Sequence, residues 1–175
     1  IGTGDENGYY YQYGKQLCEK LNATQKVEAK IVTTSGSAGN IRLINQGYLD
    51  VALVQSDIVY AATHNIEQFS DAKIKNIHSY RGLYTDTCHL VVHADSDILD
   101  VTDLQNKKVG VNQSLSGTFF TVCRIFDSYN MSLQDINLVF KSYQDSRIKE
   151  ILCNFLTNDL ISLKKFRIIT KYSRI

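Results

Sequence analysis

The stretch "TTSGSAGNIRLINQGYLDVALVQSD", residues 33–57, joins a loop of Thr, Ser and Gly to an apparent helix and then to a short apolar strand. The helix is expected over 39–45, with Ser35 or Ser37 as its cap and Gly47 as its stop. The strand, 51–54, ends in Gln55, Ser56 and Asp57. Upstream, "VEAKIV" at 27–32 alternates as a strand should and runs straight into the loop. Further upstream, "IGTG" reads as a strand end entering a glycine loop. A helix follows, with Tyr10, Tyr13, Leu17 and Leu21 at helical spacing. Strand, helix, strand, helix, strand in this order predicts an α/β fold with a parallel sheet. In open sheets of that kind ligands gather beyond the carboxyl ends of the strands, where the glycine loop, the 33–37 loop and Gln55 all fall.

The second half repeats the theme with different residues. "IHSYRGLYTDTCHLVVH" predicts extended segments at 77–84 and 88–93, and "DVTDLQNKKVGV" predicts a helical turn from Val101, a reversal at Asn106 and a strand at 108–111. A second Ser/Gly loop, "QSLSGT" at 113–118, opens a helix over 119–129 that carries Phe119, Val122, Cys123 and Phe126 on one side. "INLVF" at 136–140 is the last strand expected. Loops rich in Ser, Thr and Gly that open helices present unpaired N–H groups at the positive end of the helix dipole, which suits a carboxylate or phosphate. The same residues also serve as simple caps, and for any one of them the two roles weigh about equally.

Composition bounds the function. The chain has 175 residues, 43% of them hydrophobic and 21% charged, with a net charge of +1. No apolar run nears the roughly 18 residues of a membrane span. Residues 1–145 carry 12 Lys/Arg against 16 Asp/Glu, and residues 146–175 carry 7 against 2, so the end of the chain is basic. It is also free of glycine, all ten of which lie at or before Gly117. Its cations are dispersed among apolar residues rather than blocked together, which argues against nucleic-acid binding.

Metal and catalytic chemistry find no support. Cys18, Cys88, Cys123 and Cys153 have no metal-finger spacing. His89 and His93 fall in a strand-like run, where residues four apart lie roughly 13 Å from each other. "GTGDENG" lacks both the dinucleotide spacing and the G-K-[ST] of a P-loop, and Asp5 and Glu6 would repel a phosphate. No nucleophile elbow and no Ser/His/Asp grouping can be read from spacing. The expectation is a protein that is not an enzyme and has no cofactor. Arg42 reads as a solvated or ion-paired helix residue, and Arg81 as a residue near the crossover between halves.

In order, "IGTG…GYYYQYG", the 33–57 stretch, "LYTDTCHLVV", "DLQNKKVGV" and "SLSGT" resemble the hallmark segments of the TAXI family, the solute-binding receptors of tripartite (TRAP) transporters. The resemblance covers residues 1–146. It implies an exported, periplasmic receptor whose signal peptide lies outside this chain, with a type II periplasmic-binding-protein fold of two α/β domains joined by crossover strands. Such a receptor captures a small anionic solute, such as glutamate or a related dicarboxylate, in an interdomain cleft and delivers it to a TRAP membrane permease. Carried over position by position, the ligand shell comprises Thr3, Gly4, Tyr10, Ser35, Asn40, Gln55, Ser116, Gly117 and Thr118. The expected domains are 1–87, 88–146, and a divergent basic tail at 147–175. The chain departs from the family in having Tyr11 and Gln12 where a proline is usual, and Ser114 and Leu115 in a loop usually richer in glycine. Family members run longer, so the resemblance implies a fold incomplete at its C-terminus, through a diverged or frameshifted end. The competing reading is a remnant that binds no solute and acts as a surface antigen or interaction protein.

Overall fold

The computed structural model describes residues 1–75, 77–141 and 166–173; the expected boundary at 146/147 and Cys153 lie outside them. Two compact units emerge: Ile1–Leu83 with Gln113–Gly117, and Tyr84–Asn112 with Thr118–Ile175.

In the first unit the parallel arrangement is present but shorter than the sequence suggests. Gly2 forms parallel bridges with both Val32 and Ala52, which places the 1–4 segment between the other two. Gly2 N–H donates to Val51 O at 2.8 Å and Leu53 N–H to Gly2 O at 3.0 Å; on the other side Thr3 N–H reaches Val32 O at 3.0 Å. No longer ladder forms among the described residues. Val27, predicted as a strand residue, is exposed, and Val32 lies on an open edge, so the alternation of 27–32 yields an extended segment bridged only at its end.

Helix α1, Tyr9–Ala23, packs through Gly14 and Cys18, its two buried residues. The tyrosines and leucines expected to form its inner face are half-buried flanks instead. The reason is steric: a Cβ at Gly14 would lie 2.5 Å from Thr3 Cγ2, so only glycine lets the helix approach this closely. Helix α2, Ser37–Asn45, starts two residues earlier than expected, and neither Ser35 nor Ser37 caps it. Its N-cap is Gly36, at φ 101°, ψ −158°, a conformation that L side chains rarely adopt. The stop is as expected: Gly47 has φ 78°, and Gly47 N–H and Tyr48 N–H close the last turn onto Ile44 O and Leu43 O. Helix α3, Ser56–Thr63, was not foreseen; it buries Ile58, Ala61 and Ala62.

Arg42 takes neither of the roles expected of it. Its Nη2 donates to Gln68 O at 3.0 Å, and its guanidinium lies 5.3 Å from the Phe69 ring centroid. The Gln68 side-chain amide is buried beside this contact, with no hydrogen-bond partner at either end. A buried, unpaired amide costs about 1–3 kcal/mol. Gln68→Met is therefore expected to raise the urea midpoint of unfolding, and a drop in stability of more than about 1 kcal/mol would show that the amide has a partner in solution.

The second unit has a separate core of Val101, Leu104, Val109, Val111, Ile125, Phe126 and Ile136. Strand β1 is Thr87–His93, β2 is Lys108–Val111, and β3 is Asn137–Phe140. β2 and β3 pair in parallel, from Lys108 with Asn137 to Val111 with Phe140. Helix α4, Gly117–Ser128, lies between them in sequence and supplies Ile125 and Phe126 to the core. The turn at Val101–Leu104 is fastened by a capping box. Val101 N–H donates to Asp100 Oδ1, while the N–H groups of Leu99 and Asp100 donate to Asp103 Oδ2 at 2.8 and 3.0 Å, which lowers the Asp103 pKa. Asn106 makes the predicted reversal at φ 61°. The expected extended segment at 77–84 forms no ladder among the described residues. The basic end of the chain contributes a strand that the sequence did not announce: β4, Phe166–Ser173, runs antiparallel to β1, with Thr87 opposite Ser173 and His93 opposite Phe166.

Candidate functional site

The polar residues of the first unit converge where its three extended segments end. Asn40, on α2, is fully buried and ties all three together. Its Nδ2 donates to Thr3 O at 2.7 Å and to Leu53 O at 2.8 Å, and its Oδ1 accepts from Thr34 Oγ1 at 2.7 Å. Thr34 in turn accepts from Gly36 N–H at 3.1 Å, fixing the turn that leads into the helix. Thr3 is also fully buried, and its hydroxyl donates to Val32 O at 3.1 Å. The side chains of Thr3 and Asn40 are thus engaged with backbone and closed to solvent. Both were expected among the ligand contacts; their geometry is that of residues that position the site.

Ser37, one of the two serines expected as the cap, is instead the first residue of α2. It is 2% exposed, and its Oγ accepts from Gln55 N–H at 3.1 Å, so it links the start of α2 to the start of α3. Gln55 is the N-cap of α3. Its Oε1 is buried and has no hydrogen-bond partner. That oxygen lies where a Cβ on Gly117 would stand, so a side chain at 117 and this rotamer of Gln55 exclude each other. Ser35 is half-buried, and its Oγ takes up the corresponding position over Gly39.

The Gln113–Gly117 loop, which packs as part of the first unit, completes the cluster. Ala38 N–H, in the first turn of α2, donates to Leu115 O at 3.1 Å. A Cβ on Gly36 would come within 3.1 Å of Ser116 Cα, a second reason for glycine at that position. Ser116 and Gly117 are buried. Gly4 is buried too, yet its Cβ position has no atom within 4 Å, so this loop borders open space. Tyr10 is half-buried in the first turn of α1. Of the nine expected ligand residues, Thr118 alone belongs to the second unit, in the first turn of α4.

The chemistry of the cluster is neutral. Ser35, Ser37, Gln55 and Ser116 offer hydroxyl and amide groups, and the N-terminus of α2 adds the partial positive charge of a helix dipole. Among the described residues no group of three or more His, Cys, Asp or Glu could hold a metal ion. No helix among them is long and apolar enough to cross a membrane.

Residues 1–152 match the family model described as the NMT1-like family. The chain belongs to the NMT1-like family. Two solved structures show the fold of this NMT1-like chain at larger scale. One is the alkanesulfonate-binding protein SsuA from Xanthomonas axonopodis pv. citri bound to MOPS, with a TM-score of 0.55, 13% identity and coverage of 98% of this chain. The other is the periplasmic aliphatic sulphonate binding protein SsuA from Escherichia coli, with a TM-score of 0.50, 16% identity and 98% coverage. The chain spans 59% of the length of each. At such identities the likeness is one of fold, and the fold is that of the type II periplasmic binding proteins.

Proposed function

We propose that this NMT1-like chain is a periplasmic solute-binding receptor that captures a small anionic solute and passes it to a membrane permease, without performing chemistry on it. The single observation that carries the reading is the buried, unpartnered Oε1 of Gln55 beside the start of α2. A buried acceptor without a protein partner is uncommon, and a donor on a bound solute would satisfy it. The first turn of α2, with Ser37 and the neighbouring Ser35 and Ser116, supplies neutral donors of the kind that hold carboxylates and sulfonates. Within this reading Ser35, Gln55, Ser116 and Gly117 contact the solute, with Gly4 and Tyr10 of the same unit around them. Thr3 and Asn40 set the frame.

The narrower reading is a TAXI-type receptor of a TRAP transporter with glutamate or a related dicarboxylate as solute, carried by the run of residues 33–57. The sulfonates named for the two SsuA proteins belong to the same class of small anions, so one experiment separates these solutes. Thermal melting is measured with glutamate, 2-oxoglutarate and MOPS. A ligand that binds only the folded state raises the midpoint with its concentration, by about 2.7 kcal/mol of stability at a hundred times Kd. A saturable rise with glutamate or 2-oxoglutarate is expected. A rise with MOPS alone would replace the dicarboxylate reading with a sulfonate one, and no rise with any of the three would favour an interaction protein that binds no solute.

A further inference from the structure

The last turn of α1 reaches over to the outer edge of the 27–32 segment. Asn22 Oδ1 accepts from Ala29 N–H at 2.6 Å, and Asn22 Nδ2 donates to Ala29 O at 3.0 Å. One carboxamide thus makes with Ala29 the pair of bonds that a residue of a neighbouring antiparallel strand would make. Gln25, at φ 57°, turns the chain back between the two. The other edge of the segment is engaged by its own sheet. Lys30 O accepts from Ile1 N at 2.6 Å, Val32 N–H donates to Ile1 O at 2.9 Å, and Val32 O accepts from Thr3 N–H at 3.0 Å. The backbone groups of residues 30 and 32 therefore face the sheet, and those of 29 and 31 face away from it. The N–H and C=O of Ile31 have no hydrogen-bond partner among the described residues. Asn22 itself is exposed on the helix, where alanine would be the better helix former, and its carboxamide covers the middle of this edge.

We propose that this edge is an interface for a second copy of the chain, and that Asn22 holds it closed. The occupant follows from "VEAKI", residues 27–31, which is complementary to itself about Ala29. In antiparallel pairing on a two-fold axis at Ala29, each Glu28 lies opposite the second copy's Lys30, and each Val27 opposite the second copy's Ile31. Charges on an edge ordinarily keep another strand away, and Glu28 and Lys30 are both exposed. In this register they attract. A slip of two residues either way sets Glu28 against Glu28 or Lys30 against Lys30, and parallel pairing in register does both. The pairing also covers Val27, which is exposed in the single chain. Ala29 then exchanges with its counterpart the two bonds that Asn22 makes with it in the single chain. The carboxamide and the second copy exclude each other, so the edge opens only when Asn22 swings away.

Sedimentation equilibrium over the micromolar to millimolar range tests both parts. The wild-type chain is expected to run at the mass of one copy, and Asn22→Ala to approach twice that mass as its concentration rises. Circular dichroism and protection of the Gly2 and Thr3 amides, which bond across the three segments, serve as controls for the fold. In dilute Asn22→Ala the Ala29 amide is expected to exchange about fivefold faster than in the wild type, the effect of one lost hydrogen bond. It should regain protection as the dimer forms. Adding Glu28→Lys to Asn22→Ala sets lysine against lysine and is expected to abolish the dimer. Adding Glu28→Lys and Lys30→Glu together keeps every facing pair opposite in sign and is expected to restore it. Asn22→Ser, too short to reach Ala29, gives the same readings should alanine perturb the fold. A folded Asn22 variant that stays at the mass of one copy would leave the carboxamide as a fastening between helix and segment, and would overturn the interface. A dimer indifferent to Glu28→Lys would overturn the pairing about Ala29. A wild-type chain that already forms the charge-sensitive dimer would overturn the closing role of Asn22.

Discussion

Asn40→Ala is expected to unfold the first unit under conditions where the second keeps its core. The substitution removes three hydrogen bonds at once: Leu53 O loses its side-chain donor in the interior, while Thr3 O and the Thr34 hydroxyl keep their bond to each other at 3.1 Å. A stranded buried acceptor costs about 1–3 kcal/mol and each further lost bond about 1 kcal/mol, and neighbouring losses do not add fully, so a total of about 2–4 kcal/mol is reasonable. That is a large part of the stability of an ordinary domain. Urea unfolding followed by exchange of the Gly2 and Thr3 amides reads the effect directly, since both amides bond across the three segments. Thr34→Ala, which removes a half-buried hydroxyl but leaves both Asn40 Nδ2 bonds in place, should cost less. Equal losses from the two variants would show that the network does not run through Asn40.

The second large effect concerns binding rather than stability. Ser35→Ala combined with Gln55→Ala is expected to lower the affinity for glutamate at least about a hundredfold, on the scale of two lost hydrogen bonds to a charged or donor-bearing ligand. The fold should survive, because Gln55 Oε1 has no partner to lose and Ser37 holds the Gln55 backbone, not its side chain. Isothermal titration of the variant, with its circular dichroism as control, separates the outcomes. A folded variant that binds glutamate as the wild type does would remove these two residues from the solute contacts. An unfolded one would give them a structural role.

How far the sequence could be read depended on whether the deciding interactions were local. The stop at Gly47, the reversal at Asn106 and the parallel strands at 108–111 and 137–140 follow from glycine and asparagine geometry and from short apolar runs, so they were legible. The start of α2 was misplaced because its cap is Gly36 at positive φ, held by Ser116 and by the Thr34 hydroxyl, and both restraints come from the folded arrangement. Helix α3 was missed because it is only eight residues long and Gln55 is not a usual capping residue. Strand β4 was missed because its partner β1 lies more than seventy positions earlier, and a basic alternating run reads as a tail until that partner is in place.

The candidate site shows the same division. Of the residues named from Ser/Gly loops at strand ends, Ser35, Gln55, Ser116 and Gly117 are gathered in one unit. The sequence could not separate residues that face a solute from residues that face the backbone. Asn40 and Thr3 look like ligand residues because they are polar and stand at a helix start and a strand end. Burial and the direction of their hydrogen bonds place them in the frame. One signal was available: Asn40 is flanked by Ala38 and Ile41, both fully buried, which marks its side of the helix as inward.

Gly2 carries a consequence for how the chain finds its alignment. It bridges two neighbours at a single position each, so few hydrogen bonds distinguish the native alignment of the 1–4 segment from one shifted by a residue. Shape makes the distinction instead. Any side chain at this point would collide with Leu49 Cδ1, and its Cβ would stand 2.8 Å from Asn40 Oδ1 and 3.2 Å from Ala52 Cβ. A slide in either direction would bring Ile1 or Thr3 into a slot that admits only a hydrogen atom, and would turn each side chain to the opposite face. The glycine thus favours the native alignment by what it lacks.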